Sequence, residues 1–372
     1  MRQLTNTKMK NGFWIKLFLI VILFIAALRV LALFPQRVET FFSHGFFPIW
    51  SDLLSLAFRK IPFSIFECLL YLWVLMLCAW LVRSIALVLR KKASIMRAAW
   101  WLVIRFGAMA AILYLWFLLS WGLNYYRVSL AEKAGLGQIQ AAEEHYLTTS
   151  RWAASRINML YRTATPEEAD EAVQQTLEAM NRALLNAGEV RMETRQPIKR
   201  FFWNGLLDAT GTHGILSPFT LEVHLSRSLL TEEIPFLVAH ETAHAKGFTS
   251  ETEANLLAFE ACLSSGNRLA QFSAFYHVFG YLSSALPAEE RAHLYKERRQ
   301  EVKDLEKRIR ERERKQAGEI RDLSTKTYNT YLKLNSVKEG VKSYSLVGNW
   351  IAFLYFDEAE KAMADQGGES DR

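Results

Sequence analysis

The sequence predicts a mainly α protein in two parts: three transmembrane helices, then an α+β domain with a small edge-strand region. Three observations carry this reading. Long apolar runs crowd the first third of the 372 residues. The rest shows the periodicity of amphipathic helices, interrupted between residues 200 and 226 by Gly205, Gly211, Gly214, Pro218 and an alternating segment. One of the later helices carries the pattern H-E-x-x-H at His240, Glu241 and His244.

The apolar runs cover residues 17–34, interrupted by Arg29, residues 61–89, with Glu67 and Arg83 near the two ends, and residues 100–123, uncharged from Phe106 onward. Each approaches the roughly 20 residues that a spanning helix needs. Lys8, Lys10 and Lys16 precede the first run as they would in a secretory signal. No A-x-A-like cleavage site follows and two more apolar runs come after, so an uncleaved anchor is expected. Arg2, Lys8, Lys10 and Lys16 flank the first helix, and Arg83, Arg90, Lys91, Lys92 and Arg97 cluster between the second and third. The first connection holds only Arg37, Arg59 and Lys60. The positive-inside rule therefore keeps the N-terminus and second connection in the cytoplasm. Residues 1–126 form the membrane anchor, with the lipid bilayer as partner, and residues 127–372 an extracytoplasmic domain.

Composition narrows the classes. The chain is 51% hydrophobic with a net charge of +7, yet the basic residues of the charged stretch 289–315 alternate with Glu instead of gathering on one face. A nucleic-acid partner is therefore not expected. Tyr295, Val302, Leu305 and Ile309 keep a partial heptad register there, which fits a solvated helical arm over about 289–322. Cys68, Cys78 and Cys262 are too few for a disulfide framework, and Cys262 reads as a small packing residue.

Within the second part, residues 137–161 and 166–187 read as amphipathic helices, the latter opened by Pro166, Glu167 and Glu168 and closed by Gly188. Residues 219–225 alternate Phe219, Leu221, Val223 and Leu225 with Thr220, Glu222 and His224, as in a half-buried edge strand or one arm of a supporting hairpin. Residues 268–286 are too polar to span and read as a core helix. Residues 328–364 return to amphipathic helix broken at Gly340, too short to span and free either to pack on the domain or to graze the membrane, and residues 367–372 are expected to fray.

The motif carries the chemistry. On a helix, the four-residue step from His240 to His244 stacks both imidazoles on one face, where their ring nitrogens can meet one Zn2+ ion. Glu241 then stands beside the metal as a base for a metal-activated water. By chance the pattern arises in roughly one chain in a hundred of this length. Gly247 can close this helix in a left-handed conformation, and Thr249 or Ser250 can cap the next. That second helix offers Glu251 and Glu253, which point about 200° apart. Glu251 shares its face with Ala254, Asn255, Ala258 and Cys262, small residues suited to close approach, so Glu251 is expected to face the histidines.

The pair His240–His244 and Glu251-Thr252-Glu253-Ala254-Asn255 resembles the gluzincin-type zincins, with their HExxH and ExxAN motifs. With Ser217-Pro218-Phe219-Thr220 ahead of it, and Tyr331-Leu332-Lys333-Leu334-Asn335 and Gly340-Val341-Lys342-Ser343-Tyr344 behind, the stretch is similar to a family of bacterial membrane proteins of uncharacterised activity with a zincin-like domain. The resemblance implies zinc held by His240, His244 and Glu251, Glu241 as general base, and Asn255 orienting the third ligand. It also implies a strand along the cleft that pairs with a peptide or protein substrate. The electrophilic partner is assigned to Tyr344, with His224 next. The expected function is a multi-pass metallopeptidase of a bacterial cell membrane. The alternatives are a zinc hydrolase of a non-peptide envelope amide or ester, and a non-catalytic binding protein on the same scaffold, against which the intact Glu241 weighs. Substrate and oligomeric state are not encoded legibly.

The nine flanking Lys and Arg residues named above predict a topology. A reporter fused after Arg127 is expected to be active only in its exported form; activity confined to a cytoplasm-dependent reporter at that position would reverse the orientation.

Overall fold

The computed structural model describes residues 2–135, 139–186, 188–189, 197–316, 318–334 and 344–370. It is mainly helical. The chain opens with α1 (Arg2–Leu31), then α2 (Pro35–Arg37), a π-helix (Val38–Phe46) and α3 (Phe47–Phe58), then α4 (Ile65–Leu89) and α5 (Ile95–Ser120). Among the described residues, three segments are long and apolar enough to cross a membrane: Gly12–Leu31, Ile65–Leu89 and Ile95–Ser120. Each lies within a few residues of its expected range. The ends are set by polar punctuation rather than by hydropathy: the Ser64 hydroxyl accepts from Glu67 N, and that of Ser94 from Arg97 N. α1 packs along α5, and α5 along α4. The first connection is not a plain loop. It is helical from Pro35 to Phe58, with Val38, Phe42 and Phe47 buried.

A 3-10 turn (Gly122–Tyr126) leads out of α5 to α6 (Leu130–Lys133), α7 (Glu143–Leu160) and α8 (Pro166–Asn186). Then come β1 (Ile198–Arg200), α9 (Asn204–Thr210), β2 (Gly214–Leu216) and β3 (Val223–Leu225). A 3-10 turn (Thr231–Glu233) precedes α10 (Ile234–Ala245), α11 (Glu251–Ser264) and α12 (Arg268–Ser284). The chain continues through α13 (Ala288–Lys296), α14 (Gln300–Gln316), α15 (Glu319–Leu334), α16 (Tyr344–Leu354) and α17 (Phe356–Ser370). α12 is the hub: its buried Phe272, Phe275, Val278 and Phe279 meet α7, α8, α10, α11 and α16.

The structure refines three readings. Residues 219–225 do not form an edge strand: only Val223–Leu225 is extended, and it is the central strand, parallel to β1 and antiparallel to β2. Its alternating polar residues are buried because they have partners, not because one face is wet. The stretch 289–322 is largely exposed helix that rests the expected narrow stripe on the domain: Val302, Leu305 and Ile309 enter the main core, and the Arg312 guanidinium donates to the Glu233 carboxylate. The tail packs on the domain, with Val347, Ile351, Ala352 and Ala359 in that core, and α17 continues to Ser370. The break at Gly340 and residues 371–372 lie outside the described residues.

The hydrophobic core does not divide at residue 126. Phe47, Phe117, Leu118, Trp121 and Leu123 share one cluster with Leu177, Leu221, Val223, Val238 and Ala245. Polar contacts fasten the same seam. Glu222, fully buried, accepts from the backbone N–H groups of Ile65 at 3.0 Å and Phe66 at 2.8 Å, so a carboxylate from the sheet satisfies the first turn of α4. Beside it, His224 Nε2 lies 2.7 Å from the Ser64 hydroxyl.

Removing the Glu222 carboxylate leaves those part-buried donors without their partner. Glu222→Ala is expected to destabilise the chain by roughly 1–3 kcal/mol, read as a lower melting temperature in detergent. A melting temperature equal to that of the parent would show that the seam does not depend on this cap.

Candidate metal centre

α10 forms because Pro235 occupies its first turn, where a missing N–H costs nothing, and Phe236, Val238, Ala239 and Ala243 supply a buried face. It ends where expected, at Gly247, whose φ of +90° is left-handed. A side chain there would also be crowded: a Cβ would come within 3.0 Å of Asn124 and of Phe47. Ser250 then caps α11 by accepting from Glu253 N. The tight turn folds α11 back on α10, and Ala254, Ala258 and Cys262, all fully buried, permit the close approach.

The result is a convergence of three donors. His240 Nε2 and His244 Nε2 are 3.1 Å apart, Glu251 Oε2 is 3.3 Å from the first, and Glu251 Oε1 is 3.6 Å from the second. Zinc bonds of about 2.0–2.2 Å at tetrahedral angles place ligand atoms roughly 3.3–3.6 Å apart; the two distances to Glu251 match this, and the two imidazole nitrogens stand slightly closer at 3.1 Å. The tautomers fit as well. His244 Nδ1 lies 2.6 Å from the Phe248 carbonyl, to which it donates, leaving Nε2 with its lone pair toward the other two groups. Two imidazole nitrogens and a carboxylate facing one another call for a positive charge between them. The pKa directions say the same: burial disfavours charge on His244, but Glu251 overrides it and holds the imidazole up at about 9, while the two histidines hold Glu251 well below the usual carboxylate range against the effect of its own burial.

Glu253 turns away. Its carboxylate accepts from Leu130 N at 2.6 Å, and burial raises it to about 7. Asn255 supports the ligand differently than expected, since its amide donates to the Glu251 backbone carbonyl at 2.7 Å instead of to the carboxylate. Cys262 is fully buried in the core as a packing residue. His224 faces Ser64 at the start of α4, and burial lowers its pKa to about 4, so it is not placed as an electrophile of this centre. The Tyr344 side chain lies outside the described residues, though α16, which it opens, packs on α11 and α12.

Glu241 is buried beside the three donors, and burial raises its carboxyl pKa, countered by the two histidines. Two contacts fix it that the motif does not reveal. The Leu216 N–H donates to it, and Gly214 lies so close that a Cβ there would sit 2.8 Å from Glu241 Oε1. The strand at the centre is therefore the edge strand β2, which the alternation pattern missed because it has only three residues, Gly214, Ile215 and Leu216. Trp121, just past α5, donates its indole N–H to the His244 carbonyl at 2.7 Å. Nothing in the spacing of the sequence announces that bond. Tyr281 on α12 is a further neighbour, its phenol raised to about 12 by burial and by the charge of Glu251.

A second group of possible ligands, Glu39, His44 and Glu189, has its charge supplied internally. The Arg127 guanidinium and Lys133 ammonium bridge both carboxylates.

With these positions fixed, the comparisons can be placed. A family described as "Protein of unknown function (DUF3810)" matches residues 42–352. The chain belongs to the DUF3810 family. The matched range includes α4 and α5 together with α10 and α11, so two of the three apolar helices and the three donors fall inside it, while α1 lies before it. No curated protein and no solved structure matches the chain.

The geometry separates the two candidate third ligands. Glu251→Gln is expected to weaken zinc binding, measured by chelator competition, by at least about tenfold, the lower scale for disturbing a metal's ligand environment; Glu253→Gln is expected to leave it near the parent. The reverse ranking would move the ligand to Glu253.

Proposed function

We propose that the chain is a membrane-anchored zinc hydrolase, and specifically a metallopeptidase whose domain lies outside the cytoplasm. The observation that carries the reading is the convergence of His240 Nε2, His244 Nε2 and the Glu251 carboxylate at 3.1–3.6 Å, with a second buried carboxylate, Glu241, alongside. A bound zinc ion would supply Lewis acidity and a water of lowered pKa.

The chain's residues supply the rest. Glu241, its carboxyl pKa raised by burial and its position held by the Leu216 N–H, is placed to take up a proton and release it to a leaving amine. β2 is an edge strand of the sheet, and it borders Glu241. An extended substrate backbone pairing along β2 would thus lie across the centre, and this favours a peptide over a non-peptide amide or ester. The resemblance to zincins points the same way. An electrophilic partner comes from the helices above α11, from Tyr344 as the sequence implied or from Tyr281, which already feels the charge of Glu251.

The test uses full-length protein in detergent, because residues on both sides of position 126 share one core. Glu241→Gln is expected to retain zinc and lose at least about 10²-fold in peptide hydrolysis, whereas His240→Ala loses the metal. Equal zinc loss in both variants would overturn the assigned roles. Stoichiometric zinc with no cleavage of a peptide library would overturn the peptidase reading.

A further inference from the structure

We propose that α3 and the turn at Phe202–Trp203 form a platform embedded in the boundary between lipid headgroups and acyl chains, seating the domain on the bilayer beside its apolar helices. This inference does not rest on the zinc chemistry. It starts from α3, which is apolar on two faces. Phe47 and Leu54 enter the core shared with the sheet and α10. On the opposite side Ile49, Leu53 and Leu56 form a stripe at helical spacing, each more than half exposed, and Phe41 extends it from the π-helix. Two further side chains stand out on the domain itself: Phe202 is 82% exposed and Trp203 65%. A soluble surface rarely leaves so many large apolar groups together uncovered.

The occupant follows from where these groups are tied. The Glu67 carboxylate, in the first turn of α4, accepts from the backbone N–H groups of Phe202 at 2.9 Å and Trp203 at 3.3 Å. The aromatic turn is thereby fixed at the level where that helix begins, the depth at which Trp and Phe rings favour a membrane interface. Lys199, on the adjoining β1, donates to the carbonyl of Phe58 at 3.0 Å and to that of Ile61, binding the end of α3 to the same level. Arg59 and Lys60 are exposed just past the stripe, placed for lipid phosphates. The start of α4 and the end of α5 lie on one side of any membrane the three helices cross, and Trp121 links that side to His244. The exposed stripe, the aromatic turn and the basic pair therefore continue the lipid-facing surface of the apolar helices.

The experiment places an environment-sensitive dye on each element of the platform. Full-length protein lacking Cys68, Cys78 and Cys262 (each replaced by alanine) carries Leu53→Cys, Trp203→Cys or, as a water-exposed control on α14, Glu311→Cys. Each is labelled with NBD and placed in nanodiscs of phosphatidylcholine and phosphatidylglycerol. Dye at 53 and at 203 is expected to emit at shorter wavelength than at 311, to lose intensity when the lipids carry a doxyl group near the headgroup, and to be shielded from iodide; dye at 311 behaves oppositely. Iodide quenching and long-wavelength emission at either platform position would overturn the proposal. So would short-wavelength emission that neither quencher reaches, since that would place a second copy or another protein over the face. Ile49→Cys and Phe202→Cys provide the same reading on the same two elements should a first variant fail to fold.

Discussion

Everything around the candidate centre follows from one constraint: three lone-pair donors and a neighbouring carboxylate are held together in a largely buried cluster, where uncompensated charge is costly. His244 and Glu251 are each nearly inaccessible, as is Glu241. Such a set persists only if a positive charge is shared among the donors. That requirement fixes the backbone. The turn after α10 has to be short enough to return Glu251 to the histidines, so it uses the left-handed Gly247, and the returning helix needs Ala254, Ala258 and Cys262 where larger residues would hold it away.

The same region is tied to the apolar helices by polar bonds at both ends of the seam. Trp121 reaches the His244 carbonyl from the end of α5, and Glu222 reaches the start of α4 from the sheet. Between these bonds runs a shared core containing Phe47, Phe117, Leu221 and Val238. The apolar helices are thus part of the support of the centre. The long apolar helices end before residue 126, but the packing continues across it. Coupling of this kind fixes the position of α10 and the sheet relative to the apolar helices.

Much of this was legible in the sequence, for reasons that are local. The apolar runs, the four-residue step between the histidines, the stop at Gly247 and the small-residue face of α11 all act within a few residues, and the structure puts each where the pattern implies. What was not legible depends on partners distant in the chain. Glu222 and His224 alternate with apolar residues as an edge strand would, yet both are buried because α4 supplies an N-terminus and a hydroxyl to meet them. β2 is too short to leave a periodic signal, so its part in positioning Glu241 could be found only in three dimensions. The charged stretch around α14 reads as solvated until Glu233 is seen to receive Arg312.

The two acidic clusters show how charge balance distinguishes a structural network from a metal site. Glu39 and Glu189 have a guanidinium and an ammonium between them, and these cations bring both carboxylates below their usual range although burial opposes it. Arg127 cannot leave and its planar fork suits two carboxylates at once. That cluster is complete, and its consequence is mechanical: it pins the π-helix to α6 and to the end of α8. Around Glu251 the compensating groups are imidazoles, which carry charge only by taking up a proton, and which present to the carboxylate the same nitrogen that would bind a metal. A proton and a metal ion would be alternative occupants of that arrangement. The first cluster is therefore built from residues that end the demand for charge, and the second from residues that leave it to be met by a cation.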